Sequence, residues 1–348
     1  MPASTKPKLL LDVLRGEATP RIPFWFMRQA GRYLPEYRQV RAQAGGFLEL
    51  CLDPALATEV TLQPVRRYGM DAAILFSDIL VVPYALGIGL SFEEGEGPRL
   101  AALETLDRPP AFEPERFLSR LEPVYDTVSR VASRLPDETA LIGFAGAPWT
   151  VATYMVEGST SRDFARTKRF AYGDPDGFGR LIKLLVAATV EHVSAQIRAG
   201  AEVVQLFDSW AGTLAEGPFE RWSIAPIRAI AEALRRRHPT VPVIAFPRGA
   251  GANYLAFSAK AGVAGLGLDT TVPLSWAAEA LQPRQALQGN LDPQLLVVGG
   301  RPMLDAAERI LHALGKGPFI FNLGHGVAPE TPPENVAELS DFVRSFRR

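Results

Sequence analysis

Eight short apolar runs, spread over almost the whole chain, constrain its fold more than any other feature of the sequence. Each run is long enough for a buried strand and too short for a buried helix, and helical patterns fill most of the intervals between runs. Strands that alternate with helices build parallel sheets. The sequence therefore predicts an α/β protein, a (β/α)8 TIM-type barrel that occupies residues 1–348 as a single domain. The runs span residues 22–27, 72–79, 140–146, 203–208, 242–247, 264–268, 286–291 and 318–323.

An open, doubly wound sheet is the competing topology for the same alternation of strands and helices. It is disfavoured because no G-x-G-x-x-G turn follows the first run. Two long connections, 28–71 and 80–139, separate the first three runs. The segment from Pro83 to Pro98 within the second is rich in glycine and is predicted to form a mobile flap over the functional site.

Composition narrows the classes of partner and location. The net charge of -1 argues against nucleic acid, so any anion site must be a local cluster of arginines. Cys51 is the single cysteine, which excludes an intramolecular disulfide and a thiolate metal cluster, and no metal is expected. Asp12 interrupts the N-terminal apolar run, and no run is long enough to span a membrane. We therefore expect a cytoplasmic protein with no membrane partner.

Two arginines, Arg28 and Arg32, follow the first apolar run at a spacing of four. On a helix they would share one face, and in a loop through Gly31 both could still point into one cleft. Two guanidiniums held so close repel each other, so the pair favours a carboxylate or phosphate ligand. The alternative is an ordinary pair of solvated arginines at a strand end.

The carboxyl ends of barrel strands carry function, and polar residues follow most of the predicted strands. Asp78 stands out among them because apolar residues surround it on both sides in the sequence. A buried carboxylate needs a partner, so Asp78 either caps a neighbouring helix or faces hydrogen-bond donors or a developing cation. The other strand-end residues are Arg28, Asp208, Ser209, Arg248, Asp269, Asn290, Asp292 and His325.

Two long stretches carry a family resemblance. Phe24 to Arg38 resembles the N-terminal signature of the uroporphyrinogen decarboxylases, and Gly143 to Gly158 resembles their second signature. The likeness continues through 76–80, 207–212 and 322–326, and so covers nearly the whole chain. It implies a distorted barrel that acts as a homodimer without a cofactor. The implied reaction is decarboxylation of the four acetate side chains of uroporphyrinogen III, giving coproporphyrinogen III.

The resemblance also implies roles for individual residues. Asp78 would accept hydrogen bonds from the pyrrole N–H groups and stabilise the cation formed when a pyrrole carbon is protonated. Arg28 and Arg32 would bind substrate carboxylates, orient the departing one or relay a proton. The remaining substrate-binding residues would be Gln29, Ala30 and Gly31 through their backbone, and Tyr154, Ser209 and His325 through their side chains, with Arg41 as a further candidate. Asp208 is predicted to be structural, bonding loop backbone.

Other functions suit these residues less well. A methyltransferase of the same superfamily would hold zinc through two thiolates, and this chain has one cysteine. A Schiff-base aldolase needs a strand-end lysine, and an amidohydrolase needs an H-x-H pair after the first strand; neither occurs. A non-catalytic tetrapyrrole carrier stays open as the alternative from a different class, although it would not need Asp78 in an apolar setting.

Overall fold

One curled parallel sheet forms the centre of the fold. The structure, a computed structural model, describes residues 6–93, 97–101 and 110–347. Within these ranges, seven strands pair in the order β1-β4-β5-β6-β7-β8-β9, and every neighbouring pair is parallel. A separate antiparallel hairpin consists of β2 and β3. The strands are β1 Ala72–Ile74, β2 Leu90–Glu93, β3 Gly97–Leu100, β4 Ala140–Gly146, β5 Val203–Asp208, β6 Val243–Pro247, β7 Gly265–Gly267, β8 Ala286–Leu291 and β9 Phe319–Leu323.

Helices follow most strands of the large sheet and cover it. Residues Glu220–Ile224 make a π-helical turn, and Ala211–Thr213 and Gly251–Asn253 are short 3-10 turns. The α-helices are α1 Leu9–Leu14, α2 Pro35–Gln43, α3 Phe47–Leu52, α4 Pro54–Tyr68, α5 Val81–Ala85, α6 Pro114–Arg120, α7 Glu122–Ala132, α8 Pro148–Glu157, α9 Ala165–Gly173, α10 Pro175–Ala199, α11 Glu216–Phe219, α12 Ala225–Arg237, α13 Tyr254–Lys260, α14 Leu274–Ala280, α15 Pro293–Val298, α16 Gly300–Leu314 and α17 Pro333–Ser345.

The large sheet is buried on both faces, as the unbroken apolar runs predicted. Every residue of β4, β6, β8 and β9 is buried. Strands covered on both sides read as continuous apolar runs because neither face meets water. The parallel register brings the carboxyl ends of the strands to one edge, so Asp208 at the end of β5 pairs with Pro247 at the end of β6.

The first predicted strand, 22–27, is not a strand in the structure. It is an extended segment with one isolated bridge, Phe24 to Phe321 of β9. Side chains replace the missing ladder partners: the Phe24 N–H donates to Asp71 Oδ2 at 2.9 Å, and the Met27 N–H donates to Asn322 Oδ1 at 3.0 Å. We call residues 22–27 the seam. Seven of the eight predicted strands are therefore present in the described part of the sheet, because the seam makes a single backbone bridge and two of its N–H groups bond to side chains.

The seam nevertheless reaches both edges of the large sheet. On one side, the Phe321 N–H donates to the Pro23 carbonyl at 2.8 Å and the Trp25 N–H donates to the Phe321 carbonyl at 3.3 Å. On the other side, the N–H of Asp71, just before β1, donates to the Phe24 carbonyl at 3.0 Å. The seam therefore hydrogen-bonds both to β9 and to the residue that precedes β1.

The connection from 80 to 139 contains secondary structure that the sequence did not predict. Its hairpin pairs Leu90 with Leu100, and the Leu100 N–H donates to the carbonyl of Gly158, just after α8, at 2.8 Å. Phe92 of the hairpin packs against Phe47 with ring centroids 4.7 Å apart. Residues 94–96 of the proposed flap lie outside the described ranges, and its mobility stays a prediction.

A buried polar network joins α10 to β4. Gln196 accepts from the Phe144 N–H at 2.9 Å and donates through Nε2 to the Phe144 carbonyl at 2.9 Å. The same Nε2 lies 2.9 Å from His192 Nε2, so that ring nitrogen is the acceptor and Nδ1 carries the proton toward Tyr125 Oη at 3.1 Å. Burial lowers the pKa of His192 to about 3, and the imidazole is neutral in the folded protein.

Acidification is expected to destabilise the protein through His192. Its folded pKa is about 3, whereas a histidine in the unfolded chain takes up a proton below about pH 6.5. Between these values the unfolded state binds more protons, so the free energy of unfolding falls as the pH falls, by up to about 1.4 kcal/mol per pH unit from this group. In the variant His192→Gln, urea unfolding should change less between about pH 7 and about pH 5.

The matched control for this test is His312→Gln, at an exposed position of α16. It should keep the wild-type difference between the two pH values. An unchanged pH dependence in His192→Gln would contradict the assignment of a neutral, buried imidazole.

Candidate active site

The seam ends in a loop that presents Arg28 at the edge of the sheet. Arg28 has a φ of 59°, the left-handed region that residues other than glycine seldom adopt. The turn is fixed on both sides: the Gln29 N–H donates to the Phe26 carbonyl at 3.1 Å, and Tyr33 Oη donates to the Gln29 carbonyl at 2.8 Å. Helix α2 begins only at Pro35, so Arg28 and Arg32 lie in a loop and share no helix face.

The glycines on either side of His325 make room for protein atoms. A Cβ on Gly326 would overlap the Cγ and Cδ atoms of Arg28, and a Cβ on Gly324 would overlap the backbone of Thr270. Gly326 therefore provides the space through which the Arg28 side chain passes.

Asp78 follows β1. Among the predicted strand-end carboxylates, Asp78 and Asp208 have the most strongly shifted pKa values. Its Oδ1 accepts from the Leu80 N–H at 2.8 Å. Burial raises the pKa of Asp78 to about 6, although the Leu80 hydrogen bond and the charge of Arg28 both lower it. Protein atoms pack closely around the carboxylate, while part of the residue still reaches solvent. Ser77, its neighbour in the chain, has a buried hydroxyl without a hydrogen-bond partner among the described residues.

Arg28 and Asp78 interact through charge without touching. Burial lowers the pKa of Arg28, and the negative charge of Asp78 opposes that effect. In the described ranges, no hydrogen bond or ion pair joins their side chains, and the Arg28 guanidinium has no other such partner. A cation and an anion held near each other but apart leave both groups free to bind a ligand placed between them.

Tyr154 lies on α8, which follows β4, and interacts with both Arg28 and Asp78. We call these three residues and the side chains that act on them the cluster. Burial raises the pKa of its hydroxyl; the Trp210 indole lowers it, Asp78 raises it and Arg28 lowers it. The Tyr154 and Trp210 rings lie 6.4 Å apart. The Trp210 N–H donates to Thr150 Oγ1 at 3.1 Å, and the Trp149 indole donates to the Trp210 carbonyl at 3.0 Å, so α8 fixes the position of Trp210.

Asp208, at the end of β5, helps to hold Trp210 in position through Thr150. It accepts from Thr150 Oγ1 at 2.6 Å and from Ser223 Oγ at 2.5 Å. We predicted bonds to loop backbone. The structure shows two hydroxyl partners, and the backbone that also acts on Asp208 is that of Thr150 in α8, not of a loop; Thr150 in turn bonds the backbone of Trp210. Burial raises the pKa of Asp208 to about 6, while these hydrogen bonds lower it.

His325 approaches the cluster from the end of β9. Burial, assisted by the positive charges of Arg28 and Arg248, lowers the pKa of His325 to about 4. The imidazole is therefore neutral near pH 7, and it offers one N–H donor and one acceptor.

The other predicted residues occupy the rim. Arg32 is exposed, and its charge lowers the pKa of Arg28, which places the two side chains near each other. Ser209 is half-buried directly after β5. Ala30 and Gly31 are half-buried in the loop that carries Arg28 and Arg32, which we call the arginine loop. Arg41 lies farther along α2, with its guanidinium 6.0 Å from the Phe47 ring centroid, and its charge acts on Tyr37 and Cys51.

Some polar groups of the cluster were not assigned a role from the sequence. From the sequence, Arg248 had a strand-end position but no role at the site. In the structure its charge acts on both Arg28 and His325. The Gln29 side chain is fully buried with both amide atoms unpartnered among the described residues. Asn322 Nδ2 is also buried without a partner there. Only the strand-end position of Arg248 could have been found in the sequence.

The cluster lies at the carboxyl ends of the strands. A cavity of about 590 Å3 lies elsewhere, between α3, α4, α5 and α7. In the part of the chain that is described, no three histidine, cysteine or acidic residues come together in a way that could hold a metal ion.

Comparison with known proteins identifies the family. The profile of the family described as uroporphyrinogen decarboxylase (URO-D) matches residues 5–346. A protein from Rhodospirillum rubrum named uroporphyrinogen decarboxylase is 56% identical over 347 residues, covering 100% of this chain and 99% of its own. One from Paracoccus denitrificans with the same name is 53% identical, covering 97% of this chain and 99% of its own. The chain belongs to the uroporphyrinogen decarboxylase family.

Solved structures of other proteins share the fold of this family member. A methyltransferase from Methanosarcina mazei superposes with a TM-score of 0.80 at 20% identity, covering 97% of this chain and 98% of its own. A B12-independent methionine synthase from Shewanella gives a TM-score of 0.57 at 9% identity, covering 94% and 96%. At such identities the similarity concerns the fold alone. Among the described residues, no helix has the length and apolar character needed to cross a membrane.

Proposed function

We propose that this chain decarboxylates the four acetate side chains of uroporphyrinogen III, giving coproporphyrinogen III and four CO2, with Asp78 as the central catalytic residue. The observation that supports this proposal most directly is the state of the Asp78 carboxylate. Burial raises its pKa to about 6, and it lies near Arg28 without forming an ion pair. Membership of the uroporphyrinogen decarboxylase family supplies the reaction. The proposal assigns its steps to particular residues.

Asp78 stabilises positive charge on the substrate. Loss of CO2 from an acetate group leaves an electron pair on the methylene carbon, and that pair needs an acceptor. A pyrrole ring protonated at an α-carbon becomes cationic and accepts the pair. A fixed carboxylate next to the ring nitrogen favours this cation as it forms, and the surrounding protein atoms strengthen the attraction by excluding water. A proton added to the methylene carbon then completes the methyl group, and loss of the proton that was added to the α-carbon restores the neutral, aromatic pyrrole.

The groups around Asp78 bind the substrate's carboxylates. The forked guanidiniums of Arg28 and Arg32 suit bidentate carboxylate binding, and Arg28 also lies near the reacting group through its interaction with Asp78. Tyr154 and Ser209 donate hydroxyl hydrogen bonds, and neutral His325 donates one N–H. The backbone of residues 29–31 lies against the macrocycle. Arg41 is a candidate for a carboxylate at the outer edge.

The test is anaerobic incubation of the purified protein with uroporphyrinogen III, followed by oxidation and separation of the products by carboxylate number. Stepwise appearance of porphyrins with seven to four carboxylates supports the proposal. Binding of the eight-carboxylate species without conversion would contradict it and favour a tetrapyrrole carrier. The same incubation with a chelator present tests the expectation that no metal takes part.

Three further features stay predictions. We propose that the chain is one domain whose sheet is closed in an eighth position by the seam. Its hydrogen bonds to Phe321 and Asp71 support this arrangement. The homodimer and the cytoplasmic location come from the resemblance and from the sequence, and light scattering and cell fractionation measure them directly.

A further inference from the structure

Arg248 is held at the mouth of the site by its backbone. It follows β6, and its N–H donates to the Asp208 carbonyl at 3.1 Å, while its own carbonyl accepts from the Gly212 N–H at 3.0 Å. The next residue, Gly249, has a φ of 74° and donates to Asp269 Oδ2 at 2.7 Å. The turn is thus attached to the ends of both neighbouring strands, β5 and β7.

The close approach of two glycines maintains this turn. A Cβ on Gly212 would overlap the carbonyl of Gly249, so the loop after β5 packs directly on the loop after β6. Asp269 is itself fixed by Tyr254 Oη, which donates at 3.1 Å, and by the Thr271 N–H, which donates at 2.9 Å. These contacts use only the backbone around Arg248 and leave its side chain unrestrained.

The Arg248 guanidinium has no protein partner among the described residues. It makes no hydrogen bond or ion pair there, although the residue is half-buried. The half-buried guanidinium of Arg21, by contrast, is paired with Asp71 at 2.5 Å. A half-buried guanidinium without a counter-ion is available to pair with an anionic ligand.

The position of Arg248 is complementary to that of the arginine loop. β6 is the middle strand of the sheet order, and the seam hydrogen-bonds at the two ends of that order, to β9 and to the residue that precedes β1. Arg248 and Arg28 therefore approach the site from opposite sides of its mouth. Their charges still act on each other and on His325, so both side chains reach toward the same space.

The charges facing that space do not balance. Among the described residues, Arg28, Arg32 and Arg248 contribute three positive charges, His325 is neutral near pH 7, and Asp78 is the carboxylate whose charge acts on Arg28. A site with this excess suits a ligand that carries several carboxylates on its periphery. The arginine loop can contact one edge of such a ligand and Arg248 the opposite edge.

We propose that Arg248 is a further substrate-binding residue, which pairs with a carboxylate on the edge of the macrocycle opposite Arg28 and fixes the orientation of the ring over Asp78. This inference rests on the proposed function. Because the contact is the same before and during the reaction, it contributes uniform binding and acts on KM more than on kcat.

The test compares Arg248→Met and Arg248→Lys with the wild type under the anaerobic assay. We expect Arg248→Met to raise KM for uroporphyrinogen III by about tenfold, the usual effect of one hydrogen bond to a charged group, with kcat within about threefold of wild type. Arg248→Lys should recover part of the loss, because it keeps the charge and loses the fork. The KM difference should shrink as salt concentration rises.

Arg236→Gln, exposed at the end of α12 that faces away from the site, is the matched control and should keep the wild-type KM. Thermal unfolding of each variant checks that the fold is intact. A wild-type KM in Arg248→Met, or a lower kcat with unchanged KM, would overturn the inference. An inactive wild-type protein would instead refute the proposed function, so the two failures are distinguishable.

Discussion

Asp78→Asn is expected to lower kcat for uroporphyrinogen decarboxylation by about 10³-fold, the size typical of removing one preorganised electrostatic group from a water-excluded site. The amide keeps the shape and can still accept from the Leu80 N–H, but it cannot balance a pyrrole cation. KM should change less than kcat, because the loss concerns charge that develops only during the reaction. Initial rates and product separation by carboxylate number measure both constants.

The pH dependence gives a second measure of the same group. The pKa of Asp78 is raised to about 6, so the wild-type kcat/KM should fall as the pH drops below that value and the carboxylate is protonated. The residual activity of Asp78→Asn should lack this limb of the profile. Asp292→Asn is the matched control, since Asp292 also follows a strand but is exposed and caps α15 by accepting from the Gln294 N–H at 2.9 Å. Wild-type rates in Asp78→Asn would refute the mechanism.

Arg28→Met is expected to lower kcat/KM by about 10²-fold, since it removes a charge-assisted bidentate contact and leaves Asp78 without its neighbouring cation. Arg28→Lys should lie between the variant and the wild type, because a lysine keeps the charge without the planar fork. The anaerobic assay at several substrate concentrations separates the effect on KM from the effect on kcat.

The control for Arg28 is Arg66→Met, which removes a surface arginine paired with Glu59 at 2.7 Å and should leave the kinetics unchanged. Equal losses in the two variants would point to a general effect of charge or stability. Unaltered kinetics in Arg28→Met would exclude Arg28 from the binding site.

The apolar runs predicted the sheet well because local sequence decides whether a segment can be buried on both faces. β4, β5 and β8 have the predicted bounds, and Asp78, Arg28 and His325 lie together because parallel strands align their carboxyl ends. The seam could not be predicted, since its closure depends on Asp71 and on Asn322, which is 295 residues from its partner Met27. Such pairings leave no local pattern.

The site was predicted less completely than the fold. Arg28 and Asp78 lie in distinctive local sequences, whereas Arg248 follows its strand without any unusual neighbour. The role proposed for Arg248 depends on its charge interactions with Arg28 and His325, which are distant in the sequence. It also depends on the guanidinium having no hydrogen-bond or ion-pair partner among the described residues. The role of Gly326 was also hidden, because it depends on the path of a side chain from the other end of the chain.

The seam has a consequence for how the gene can vary. In an ordinary strand the backbone makes the hydrogen bonds, and no exchange of side chains, proline apart, can remove them. At the seam two of these bonds belong to the side chains of Asp71 and Asn322. One nucleotide change in either codon can therefore remove a hydrogen bond of the seam. Elsewhere in the sheet the corresponding bond joins two backbone atoms and does not depend on the side chain. Evolutionary drift should accordingly be slow at these two positions.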